Sequence, residues 1–462
     1  MIRKPKVIAL FLALFFAAVA AYCWIVPLVR PQGIYGWGHY RLINIYAGTP
    51  MVLALICALV FLVSPPDKRV SRTLRLATVC LTSLAMLLLL DAGYAIIVKG
   101  ALRTPTPTDF WFDGNSISAD DNLPDPELGF HRKPHLFWQG RVTPEGHFVT
   151  YRTDANGFRN DQTIKQADLV FIGDSFTEGA SVPLENTFVQ LVGKTTNRAV
   201  VNLGCGYYGA QQELIVLRQY GLTFNPRVVV WQIFEGNDLS DARRFADWQK
   251  NPIRKESLLQ RYARYSLVAH LLNFTVPKPA APAQLTMRDP NGGTLPVSLD
   301  YSYRPDEPEQ EPVGWAETIK AIDEGNRLCA SHGIKLIVLF VPVKGRILEP
   351  YVSFPDPQYK SQFFPWGVAD SNKDFGHQLA NFCGQIGCSF VDVTEALRSQ
   401  AAADNRFVYM TGRDSHLNVD GHKVVADRLV KAIESFPPGS NGMLLQPKAP
   451  ATQRRNDSAS AR

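Results

Sequence analysis

Three long apolar runs within the first hundred residues constrain this chain more than any other feature. Val7–Val29 holds no charged residue over 23 positions, Ile45–Ser64 none over 20, and Leu76–Val98 is interrupted only by Asp91. At ~1.5 Å per residue, each is long enough to cross a hydrocarbon core of about 30 Å as a helix. Residues 1–100 are therefore expected to form a membrane domain of three transmembrane helices. A cleaved leader would share the Arg3-Lys4-Lys6 flank and the Ala-rich centre of the first run. The length of that run, and the two that follow, favour a retained anchor. Asp91 within a span is costly, and its position towards one end suggests a carboxylate near the interface or facing a neighbouring helix.

Charge sets the orientation. Residues 1–100 hold ten Lys/Arg against two Asp/Glu, whereas the rest of the chain holds 38 against 40. The basic excess thus belongs to the membrane part. Bulk charge gives the remainder no pull on a polyanion, so nucleic acid is excluded as a partner. Arg3, Lys4 and Lys6 precede the first run, and Lys68, Arg69, Arg72 and Arg75 crowd the loop before the third. Basic flanks stay cytoplasmic. Three spans then place everything after Lys99 on the periplasmic or outer face of the inner membrane.

Beyond the membrane part the pattern changes. Residues 101–165, rich in Pro, Asp and Gly, read as a linker and a small β-rich lead-in, with alternation at His147–Thr153. Buried strands are expected at Leu169–Ile172, Val200–Leu203, Arg227–Phe234, Lys335–Val341 and Ser389–Val393. Helical patterns are expected at Thr187–Lys194, Gln212–Tyr220, Trp315–Ser331, Lys373–Phe382 and Val424–Ile433. Strands alternating with helices imply an α/β fold whose parallel sheet is covered on both faces. The domain is bounded at 166–436, with an aperiodic Pro-rich insertion at 239–312. The tail 437–462, rich in Pro, Ser, Asn and Gln, reads as disordered.

Ligands of such sheets bind beyond the carboxyl ends of the strands. Those ends carry Gly173-Asp174-Ser175, then Gly204-Cys205-Gly206, then Gly236-Asn237-Asp238, and near the terminus Asp414-Ser415-His416-Leu417-Asn418. In this order the four blocks resemble the SGNH (GDSL-type) hydrolase superfamily, over roughly 166–435. The resemblance implies a three-layer αβα sandwich and a serine esterase or acyltransferase, with no cofactor. It makes Ser175 the nucleophile, His416 its base and Asp414 the acid that orients the imidazole. The oxyanion hole would combine the Ser175 N–H, a second-block N–H and the Asn237 amide. The physical chemistry agrees: a serine hydroxyl needs a base to become nucleophilic, and the tetrahedral oxyanion needs fixed donors.

Two departures stand out. The family spaces acid and histidine as Asp-x-x-His; here the box is one residue shorter, and Arg413 occupies the usual acid position. An ungapped reading of the second block places its donor at Tyr207, beside Gly206, and Gly206 is favoured because glycine permits the turn. The remaining polar residues have plainer readings. His422 reads as structural, Glu178 and Glu235 as lying beneath the site or on the surface, and Lys344 as a solvated loop lysine. No His-x-x-x-His pair or paired zinc-spaced cysteines suggest a metal. Cys383 and Cys388, at a chain reversal, are expected to form a disulfide.

Two classes of function follow. One is an esterase or acyltransferase acting on O-acyl groups of cell-envelope glycans, O-acetyl foremost. A transferase would need a multi-span membrane partner to deliver the acyl group. The other is a membrane-tethered binding or assembly protein on a degenerate fold of the same kind; loss of Ser, Asn or His would favour it, and none is lost.

Overall fold

The structure, a computed structural model, describes residues 4–25, 42–98, 110–111, 121–142, 146–161, 164–252, 266, 285–288, 294–297, 308–353, 374–404, 407–410 and 414–435. The tail 437–462 and most of the 239–312 insertion lie outside the described residues, as does Arg413.

The three apolar runs are helical: α1 (Lys4–Trp24), α2 (Leu42–Val63) and α3 (Arg69–Gly93), the last continuing through a π-turn at Tyr94–Val98. α1 packs on α2, and α2 on α3. Among the described residues, one helix, Arg69–Ile97, is long and apolar enough to cross a membrane; the apolar stretches Leu10–Cys23 and Met51–Val63 are shorter. The expected three spans are thus three helices, of which one passes on length and composition. Asp91 is buried and accepts a hydrogen bond from Ser266 Oγ at 2.6 Å. It meets a residue of the 239–312 insertion, 175 positions away.

The lead-in forms two antiparallel hairpins, β1 (Asn122–Asp125) with β2 (Gly129–Arg132), and β3 (Phe137–Gly140) with β4 (Val149–Arg152). The α/β unit then runs β5 (Leu169–Ile172), α4 (Ser175–Glu178), α5 (Phe188–Thr196), β6 (Val200–Asn202), α6 (Ala210–Gln219), β7 (Val228–Phe234) and α7 (Asp238–Lys250). After a small antiparallel pair, β8 (Leu285–Arg288) and β9 (Thr294–Val297), come α8 (Pro312–Ser331), β10 (Lys335–Val341) and α9 (Lys344–Leu348). β11 (Val352–Ser353), α10 (Phe375–Gln385), β12 (Ser389–Asp392), α11 (Thr394–Asp404) and α12 (Val419–Glu434) complete the chain.

Five strands form one parallel sheet in the order β12-β10-β7-β5-β6. β7 and β10 pair over seven positions, from Val228 opposite Lys335 to Phe234 opposite Val341. Every residue of β5 and β7 is buried; β5 reads as an unbroken apolar run, and β7 is broken only by the buried Gln232. Alternate side chains feed two cores. Leu169 and Phe171 pack with Phe188 of α5, Leu397 of α11 and Leu429 of α12. Val170 and Ile172 pack with Leu217 of α6, Phe245 of α7, Ile322 of α8 and Leu379 of α10. The result is the three-layer αβα sandwich.

The sequence missed α7, read as the start of an aperiodic insertion. Its buried face includes Asp238 and Asp241 beside Leu239, Ala242 and Phe245, so buried acids broke the apolar period. Cys383 and Cys388 are free thiols, contrary to the expected disulfide. The turn is closed instead by the Cys388 N–H donating to the Cys383 carbonyl at 2.8 Å, with Cys388 Sγ directed at the carbonyls of Ser389 and Leu336.

Candidate active site

Ser175 opens α4, one residue beyond the turn that leaves β5. Asp174 caps that turn, its Oδ1 accepting from the Phe176 N–H at 2.9 Å. Burial raises the Asp174 pKa, against the pull of the cap hydrogen bond and of His416. From the other end of the chain, a bridge between Tyr409 and Leu417 and the bond from the Met410 N–H to the His416 carbonyl (2.9 Å) pin the closing loop beside α4. Asn418 then caps α12 through the Gly421 N–H at 2.9 Å.

This arrangement brings Ser175, His416 and Asp414 together. His416 Nε2 lies 2.7 Å from Ser175 Oγ, and His416 Nδ1 lies 2.6 Å from Asp414 Oδ1. The shortened box works because one carboxylate oxygen serves twice: Asp414 Oδ1 also accepts the His416 backbone N–H at 2.9 Å. A two-residue spacing allows that local turn. Asp414 Oδ2 accepts from Ser181 Oγ at 2.8 Å. Burial alone would raise the Asp414 pKa, but the imidazolium charge and these hydrogen bonds hold it well below the usual carboxylate range. Burial would lower the His416 pKa; Asp414 outweighs it, and the net shift is upward. The imidazole also packs on Phe176, with ring centroids 5.0 Å apart.

The oxyanion donors fit less simply. The Gly206 N–H donates to Glu178 Oε2 at 2.7 Å, so the expectation that it serves the oxyanion does not fit this geometry. The physical reason is Glu178 itself, a buried carboxylate that accepts hydrogen bonds from several donors around it. Arg132 Nη2 donates to it at 3.0 Å, and the Tyr151 hydroxyl donates to its other oxygen. Burial opposes its charge, yet Arg132 and these hydrogen bonds hold its pKa below the usual range. The next residue, Tyr207, has φ 72°, the left-handed conformation a glycine would take without strain. Asn237 precedes α7, and its side-chain amide donates to Asp241 and helps to lower the pKa of Asp174, the neighbour of Ser175.

Three other expectations change or settle. Lys344 is fully buried and its Nζ donates to the Asp414 carbonyl at 3.3 Å, so it steadies the closing loop and is no solvated loop lysine. Glu235 is also buried, paired with Arg346 and accepting the Val343 N–H at 2.8 Å. His422 is structural: its Nδ1 accepts the Phe188 N–H at 3.2 Å. Sequence reading missed Arg132, Tyr151 and Arg159 of the lead-in. Arg159 donates to the Glu178, Gly179 and Val182 carbonyls, wrapping the chain just after α4. The only sequence signal for them was charge and aromaticity in a hairpin region without an evident period.

Among the described residues, no group of three or more His, Cys, Asp or Glu is placed to hold a metal ion. A search among curated proteins finds no match. Solved structures similar to this chain include a lipolytic protein of the G-D-S-L family from Desulfitobacterium hafniense, at 14% identity over 57% of this chain and 97% of that one, with a TM-score of 0.30. An acetylxylan esterase from Geobacillus stearothermophilus, in a catalytic-mutant form, matches at 13% identity over 58% and 95%, also with a TM-score of 0.30. A protein described as an acylhydrolase from Bacteroides fragilis matches at 15% identity over 58% and 86%, again with a TM-score of 0.30. The family model for GDSL-like lipases and acylhydrolases covers residues 171–424, from within β5 to within α12. That span is more than half of the chain and contains all four blocks, and the chain belongs to the GDSL-like lipase/acylhydrolase family.

Proposed function

We propose that this acylhydrolase is a membrane-anchored serine esterase acting on O-acyl, foremost O-acetyl, groups of cell-envelope glycans. The observation that carries the catalytic reading is the continuous Ser175–His416–Asp414 hydrogen-bond chain, at 2.7 and 2.6 Å. Ser175 Oγ attacks the ester carbonyl as His416 Nε2 takes its proton. The tetrahedral intermediate collapses, the C–O bond to the sugar breaks, and the imidazolium returns the proton to the leaving hydroxyl. A water, deprotonated by the same imidazole, then releases the acid. A transferase would use a second sugar hydroxyl in place of that water, with a membrane partner delivering the acyl group. The oxyanion is held by the Ser175 N–H and the Asn237 amide; the Gly206 N–H is engaged by Glu178.

Membrane anchoring rests on the helix Arg69–Ile97 and its surface. Leu81, Leu87, Leu89 and Leu90 are exposed, and so are Phe11 and Phe15 on α1, an amount of exposed apolar side chain that suits lipid better than water. Arg69, Arg72 and Arg75 at the first turns of that helix support an α/β domain on the outer face even with a single span.

The test uses a fluorophosphonate probe on the full chain in detergent. The wild type should be labelled at Ser175 and release acetate from acetylated glycans, and Ser175→Ala should do neither. A folded wild type that neither labels nor turns over any acyl ester sinks the catalytic reading in favour of a binding protein.

A further inference from the structure

The lead-in hairpin does more than cover the sheet. Between β3–β4 and the chain around α4 lies a cavity of about 390 Å³, within the size range of small-ligand sites. Its wall includes Trp138 of β3 and Tyr151 of β4, stacked with centroids 4.8 Å apart and planes within 5°. Its inner end is the Arg132–Glu178 pair. Its outer rim carries Arg141 and Asp121.

The cavity ends beside the helix of the nucleophile, and Ser175 itself is not part of its wall. Glu178 and Ser175 share the one-turn helix α4. A single Cβ built on Gly206 would lie 3.4 Å from Ser175 Cβ and 3.3 Å from Arg132 Nη2 at once, so one glycine separates the cavity wall from Ser175.

The lining chemistry selects the ligand. Two arginines face two carboxylates, so the wall has no net charge to draw a phosphate or a polyanion. The wall offers aromatic surface at Trp138 and, at its rim, the Arg141 guanidinium with the Asp121 carboxylate. A pyranose ring satisfies both features. Its flat C–H face lies against aromatic surface, and its hydroxyls, each donor and acceptor, meet guanidinium and carboxylate together.

We propose that this cavity seats the sugar ring that bears the ester, so that Trp138 and the Arg141–Asp121 rim determine glycan specificity. The proposal rests on the esterase reading for its orientation towards Ser175, but sugar binding itself can be read without turnover.

The experiment uses the full chain with two probes, O-acetylated xylotetraose and O-acetylated chitotetraose, compared with p-nitrophenyl acetate and p-nitrophenyl octanoate. Trp138→Ala should raise KM for at least one glycan ester about tenfold or more with kcat little changed, and lower the ratio of glycan-ester to p-nitrophenyl acetate turnover accordingly. Arg141→Ala, at the exposed rim, should raise KM about threefold or more and covers the case in which the tryptophan variant does not fold. Calorimetry on Ser175→Ala should show glycan binding that Trp138→Ala or Arg141→Ala weakens to match. Equal losses on glycan and p-nitrophenyl esters, or no glycan binding to Ser175→Ala, overturn the proposal. A selective loss on the octanoate also overturns it, making the cavity an acyl-chain pocket. If fluorophosphonate labelling fails while Ser175→Ala still binds a glycan in a Trp138-dependent way, the esterase reading falls and the sugar site stands.

Discussion

A two-residue spacing lets one oxygen of Asp414 hold both the backbone and the ring of His416, and the consequence is electrostatic. Ser175→Ala and His416→Ala should each lower kcat by roughly ten-thousandfold or more, and the double variant should lose no more than either, because the pair acts as one unit. His416 works as a base only when neutral. Burial pulls its pKa down, Asp414 pulls it further up, and the folded value lies above the ordinary 6.5. The acid limb of kcat/KM against pH should therefore lie above 6.5, with activity rising as pH increases through it. Asp414→Asn removes the charge that raises this pKa. Its limb should move to lower pH while the plateau falls steeply, and a limb that stays in place would deny Asp414 its role.

At the scale of elements, close packing joins α4 to the turn after β6. A Cβ on Gly204 would meet the Glu178 backbone nitrogen at 2.5 Å and Thr177 Cβ at 2.6 Å. Gly204→Ala should cost about 1–3 kcal/mol in urea unfolding, because backbone there has nowhere to move. Gly384 near the end of α10 has nothing within 4 Å of its added Cβ, and Gly384→Ala should stabilise by about 0.5–1 kcal/mol. Two changes of the same chemistry with opposite signs test the packing and not the residue type. The junction of α5 and α12 is pH-sensitive. Burial, then the charges of Arg159 and His416, push the His422 pKa down to about 3. In the unfolded chain His422 titrates near 6.5, so below that pH the unfolded state binds a proton that the native state refuses. Stability should fall as pH drops from 6.5 towards 3, and His422→Gln should flatten that slope in denaturant titrations; equal slopes would count against it.

For the whole molecule, long-range polar contacts join the apolar helices to the 239–312 insertion and the lead-in hairpins to the sandwich. Asp91 meets Ser266 across 175 positions, and Arg132 meets Glu178 across 46. The membrane topology proposed from the basic flanks is open to a simple measurement. Alkaline phosphatase fused after Ser435 should be active, and an active cytosolic reporter at that point, with a silent phosphatase, would reverse the membrane orientation and remove the envelope substrate with it.

The sequence by itself determined the sheet strands, the sandwich class and the three residues of the hydrogen-bond chain. Buried parallel strands read as largely apolar runs, and the blocks at their carboxyl ends carry the family resemblance that assigned Ser175, His416 and Asp414, so both signals are local. Only the tertiary structure decided the rest. Lys344 and Glu235 read as ordinary polar residues because their partners, Asp414 and Arg346, lie 70 and 111 positions away. α7 was hidden because its buried Asp238 and Asp241 look solvent-facing in a one-dimensional pattern. The competition of Glu178 for the Gly206 N–H depends on Arg132 and Tyr151 folding over from the lead-in. A local pattern records which residues are apolar or reactive, whereas the charge a buried group meets is set by chain segments that only the fold brings together.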